Sequence, residues 1–184
     1  MNSMRAFYLS TRNDAAARLS AGVPELNETR DELDNLGKLI IEVLAERKQH
    51  PYNPKDYNKK YLFADIHPDI MFGIYAPILK ILCVSDPNFK LSEEVRRVDY
   101  EAMFLLQERI LKAYDIAAYK KLHKLKIYDA EREKELLKNA EKNSKEFGLG
   151  PKIGIKITKS IIQKTKELEE IIFDEENVTI KATI

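Results

Sequence analysis

Cysteine is nearly absent: Cys83 stands alone in 184 residues, so no disulfide framework holds this chain together. Tryptophan is missing, and histidine occurs only at His50, His67 and His123. The three are far apart, and none sits in an HExxH or Glu-x-x-His pattern, which disfavours zinc sites and di-iron bundles. An excess of one charge is also lacking. Thirty-one Lys and Arg meet thirty Asp and Glu, a net of +1, which argues against a uniformly basic nucleic-acid domain. No apolar run approaches the roughly 18 residues of a bilayer span. The longest, Ile70 to Val84, is interrupted by Gly73, Pro77 and Lys80. Met1 to Gly22 has no apolar core of a secretory signal, although its arginines and serines leave a presequence as the alternative to an ordinary first helix. With one free thiol, the expectation is an intracellular, cytoplasmic protein.

What is present is an apolar content of 44% beside 33% charged residues. That composition builds a core and a solvated surface, so the chain is globular and not disordered. A first helix is expected over Asn13–Ala21, stopped by Gly22 and Pro24. A second begins near Asn27, where Leu33, Leu36, Ile40, Val43 and Leu44 share one face. Residues 49–68 carry three prolines and Tyr52, Tyr57, Tyr61 and Phe63. They read as a long irregular connection packed onto the core through those rings. Asp69 to Val84 reads as the central buried helix, kinked or divided by Pro77.

From Asn88 to Phe147 there is neither glycine nor proline. Ser92 can cap this segment. It is expected to form two helices, broken at Tyr128-Asp129 with Asp129 as a fresh cap, or one sharply bent helix. Gly148 and Gly150 end it. The tail alternates: Ile153, Ile155 and Ile157 in one stretch, Val178 and Ile180 in another, with a helix over Ser160–Phe173 between them. Alternation is the mark of a half-buried strand. The expected fold is therefore mainly α: an irregular helical bundle with long charged helices over residues 1–147, followed by a small C-terminal strand–helix–strand appendage over 151–184. The core is expected to hold Leu36, Ile40, Val43, Leu44, Ile70, Ile74, Ile78, Leu82, Leu105, Leu106, Ile110 and Ala113.

Chemistry is harder to find. Asp65, His67 and Asp69 alternate and form a weak metal candidate; the plainer reading makes them a turn and a helix start. Gly148-Leu-Gly150-Pro-Lys152 reads as a helix stop and not as a phosphate cradle, because Pro151 removes a donor. No G-x-S-x-G occurs, Cys83 lies in an apolar stretch, and no cofactor is expected. The strongest polar feature is a basic run. Arg109, Lys112, Lys120, Lys121, Lys124 and Lys126, with His123 among them, face only Asp115. Arg109, Lys112, Lys120, His123 and Lys124 fall on one third of a helix, with Ile116 interrupting that face.

With no catalytic constellation in view, the leading expectation is a non-enzymatic assembly protein. It would dock to itself or to a protein partner by strand addition through Ile153, Ile155, Ile157, Val178 and Ile180. The alternative is a nucleic-acid-associated subunit that binds phosphates on the Arg109–Lys126 face.

Overall fold

A computed structural model describes residues 26–58, 66–126 and 128–181. The expected first helix, Tyr61, Phe63 and Asp65 lie outside them. Helix α1 runs over Leu26–Arg47 and buries Leu33, Ile40, Ile41, Val43 and Leu44, residues recurring at helical steps. The following connection is pinned to the molecule. Tyr52 donates its N–H to the Val84 carbonyl at 3.0 Å and accepts from Asp86 N–H at 2.9 Å. Tyr52 and Tyr57 are both buried.

Next come a single turn, α2 (Pro68–Ile70), a π-helical stretch over Met71–Tyr75, and α3 (Ala76–Leu82). Pro77 accounts for the π stretch. It has no N–H for the carbonyl four residues back, and its ring crowds that carbonyl. The ladder widens instead, and Ala76 N–H bonds the Met71 carbonyl, as π-bulges do. Ile70, Met71, Ile74, Tyr75, Ile78 and Leu79 from this segment are buried in the main core.

Helix α4 spans Glu93–Leu122, and the Ser92 side chain caps it by accepting from Val95 N–H. It closes at Lys124, which adopts φ 54°, while Leu125 N–H reaches back to the Lys120 carbonyl at 2.8 Å. This left-handed closure is the Schellman arrangement. Helix α5 (Ala130–Glu146) starts afresh with Asp129 as its cap, accepting from Arg132 N–H. It ends at Gly148, φ 71°.

The tail corrects the sequence expectation. Residues Pro151–Lys181 form one helix, α6, and no strand occurs among the described residues. Ile153, Ile155, Ile157, Val178 and Ile180 are helical, so strand addition through them is ruled out. The alternating isoleucines also fit a four-residue step: Leu149, Ile157 and Ile161 are in the core with Ile153 against it, and Thr165 continues the row. Pro151 is well placed at a first helical position. α6 packs against α5, α4 and α3. At the α5–α6 crossing Gly154 allows close approach, since a Cβ there would land on the Ser144 side chain and lie 3.1 Å from the Ala140 carbonyl.

A buried polar cluster joins α1 to α4. Arg47 Nε donates to Asp99 at 2.6 Å, and its Nη1 donates to the His50 carbonyl at 2.8 Å. Tyr57 and Tyr75 hydroxyls donate to the same carboxylate. Burial pushes both phenols well above the ordinary tyrosine range. The same burial pushes the neighbouring Cys83 thiol up to about 11, so at neutral pH it is an unreactive thiol. Among the described residues no helix is long and apolar enough to cross a membrane.

Candidate active site

At the end of the bundle away from Arg47, helices α1, α4, α5 and α6 diverge around a cavity of about 300 Å³. That volume suits a small molecule. Its apolar walls are Leu33 from α1, Ala113 and Ile116 from α4, Leu136 from α5 and Ile162 from α6. Five cations line it: Arg30, Arg109, Lys120, Arg132 and Lys166.

Most of these cations are already paired. Arg30 Nη2 donates to Asp129 Oδ2 at 2.8 Å. Arg132 grips Asp34 at 2.6 Å, Lys166 holds Glu133 at 2.6 Å, and Lys120 lies 3.7 Å from Glu169. Arg109 differs. It is buried, and its Nη1 has no hydrogen-bond partner among the described residues. Burial lowers its pKa to about 10, against the opposing pull of Asp34, so it remains a cation at neutral pH. A buried guanidinium with a spare donor beside a cavity is a seat for an anion.

Glu169 is the second unusual group. Burial raises its pKa, with Lys120 pulling the other way. The protonated form therefore persists to higher pH than in a free glutamate. Thr165 turns its hydroxyl back to the Ile161 carbonyl at 2.9 Å. Among the described residues neither Ser, Cys nor His lines the cavity. It offers shape, five cations against the four carboxyls of Asp129, Glu133, Glu169 and Glu170, and two carboxyls of shifted acidity, Glu169 raised and Asp129 lowered.

The basic run of the sequence is divided by the fold. Arg109 and Lys120 turn into the cavity, and Ile116 forms the wall between them. Lys112 pairs with Glu32 on α1 at 2.6 Å. His123 lies against Tyr119, Lys121 is half-buried, and Lys124 and Lys126 are exposed beyond the helix end. Of the metal candidate, His67 is half-buried and Asp69 is in α2. Among the described residues no three His, Cys, Asp or Glu side chains gather as a metal site.

Sequence reasoning missed Arg30, Asp129 as a cavity residue, Arg132, Glu133, Thr165 and Glu169. One signal was available. Ala102, Leu106, Arg109, Ala113, Ile116 and Lys120 advance by four and three, so Arg109 and Lys120 are in step with the apolar stripe of α4. A charge on the core-facing stripe is costly unless a site needs it.

Residues 91–170 match the family model described as chorismate mutase type II. The matched region contains α4, α5 and most of α6, hence three walls of the cavity. No curated protein and no solved structure matches the chain. The family match overturns the expectation of a non-enzymatic assembly protein, and with it the nucleic-acid alternative: it points to an enzyme. Its physical counterpart is plain, since the two most buried cations of the supposed phosphate-binding face are turned inward, into a pocket far too small for a nucleic acid.

Proposed function

We propose that this protein rearranges chorismate to prephenate in the cavity between α1, α4, α5 and α6. The observation that carries the reading is the buried, partner-free Nη1 of Arg109 within a cation-lined cavity, inside the region that resembles chorismate mutase type II. Chorismate is a dianion with two carboxylates and an enol ether. Its rearrangement is unimolecular: one C–O bond breaks as one C–C bond forms, with no co-reactant. Such a reaction asks the protein for a compact bound conformer and for charge matched to the ether oxygen as the C–O bond opens.

The residues divide accordingly. Arg109 and Arg30 are the carboxylate holders, because a planar guanidinium fork fits a carboxylate and a point charge does not. Lys120, and Glu169 when it carries its proton, face the ether oxygen and stabilise the negative charge that grows there. Leu33, Ala113, Ile116, Leu136 and Ile162 press the substrate into its folded form. A soluble dianionic substrate accords with a cytoplasmic setting. The test is direct: purified protein is mixed with chorismate and prephenate is followed. Catalysed conversion is expected; a rate equal to that of buffer alone would sink the reading.

A further inference from the structure

We propose that Asp129 is a positioning residue that aims the Arg30 guanidinium into the cavity before substrate arrives. This rests on the chorismate reading of the site. Arg30 lies one turn from the start of α1, and its side chain is 25% exposed. Arg109 is held by burial, but Arg30 has the rotamer freedom of a surface arginine unless something fixes it. Asp129 fixes it. One carboxylate oxygen, Oδ2, accepts from Arg30 Nη2 at 2.8 Å. The other, Oδ1, accepts from Arg132 N–H at 3.0 Å as the cap of α5, so the carboxylate is anchored to a helix start.

The tie is doubled from the opposite direction. Arg132 Nη2 donates to the Arg30 carbonyl at 3.1 Å and to Asp34 at 2.6 Å. Side chain and main chain of Arg30 are thus both fastened to the first turn of α5. The Asp129 pair uses one Nη donor of Arg30, and a guanidinium has five. Another edge can meet a carboxylate without breaking the Asp129 pair. Asp129 therefore orients Arg30 without competing for it. An orientation present before binding acts equally on bound substrate and transition state, so its loss raises KM more than it lowers kcat.

Asp129→Asn separates the two jobs of this side chain. An asparagine still caps α5 through its oxygen, but the NH2 that takes the place of Oδ2 donates only and cannot accept from Arg30. The expected result is a KM for chorismate raised roughly tenfold with a much smaller fall in kcat. Asp129→Ser, which keeps a capping oxygen and drops the carboxylate, shows the same split. Nitrogen NMR of the Arg30 side chain supplies a readout independent of turnover. Its Nη signals are separate in the parent protein and merge in Asp129→Asn, as the guanidinium begins to rotate. Conversion of chorismate with an unchanged or lowered KM in Asp129→Asn overturns the inference. So do Arg30 signals that are merged already in the parent. Should the parent protein not convert chorismate, the reading of the site falls by itself, and the Arg30 signals decide the inference: separate signals retained in Asp129→Asn defeat it, and merging upholds it.

Discussion

Lys120 and Glu169 face one another at 3.7 Å with side chains only 9% and 12% exposed. The cation favours ionised Glu169 and burial opposes it; burial is the larger effect, and the carboxyl pKa moves up. As pH rises through that raised pKa, Glu169 loses the proton it would donate to the ether oxygen. It also adds a negative charge where a dianion must sit. Turnover is therefore expected to decline as pH rises through that raised pKa. Glu169→Gln keeps an N–H donor at every pH, so its profile should lose this decline. Parallel kcat/KM profiles of the two proteins check it, and a decline that persists unchanged in Glu169→Gln would contradict the assignment.

Arg109→Lys keeps the charge and removes the fork. Lysine cannot present two parallel donors to a carboxylate. Loss of a preorganised charged contact of this kind costs about 10²-fold or more in kcat/KM. Steady-state kinetics with chorismate, beside a thermal melt to verify folding, measures it.

Arg47→Leu probes the far end of the bundle. It leaves Asp99 buried with only Tyr57 and Tyr75 as hydroxyl donors. An uncompensated buried charge destabilises a fold by about 3–5 kcal/mol. The midpoint of urea unfolding should drop accordingly. The KM of the fraction still folded should not move, because Arg47 is remote from the cavity lining.

Gly154→Ala tests the α5–α6 crossing. The added methyl meets Ser144 and the Ala140 carbonyl, so one helix must shift or Ser144 must turn away. Overpacking of this sort costs about 1–3 kcal/mol. Pairing it with Ser144→Ala, which removes the hydroxyl in the way, should recover part of the loss; a simple sum of the two single effects would argue against direct contact.

The parts of the fold readable from sequence are those with local chemistry at their ends. Ser92 and Asp129 are capping residues, and both cap helices here; Asp129 is also where the long glycine-free segment divides. The tail defeated the same reasoning because Ile153, Ile155 and Ile157 satisfy a period of two, while Ile153, Ile157 and Ile161 satisfy one near four. Nothing local decides between the two. Packing of Ile157 and Ile161 against the core does. The site was harder still. Arg109 and Lys120 stood out as charges, but their meaning depends on Arg30 and Glu169, which only tertiary structure brings beside them.

Arg30 and Leu33 line the cavity yet lie ahead of the stretch, 91–170, that matches the family. A shortened version cut to the recognisable stretch would keep three sides of the chamber and forfeit the fourth, together with one of its two carboxylate forks. Any attempt to find the smallest working piece of this protein has to begin upstream of Arg30.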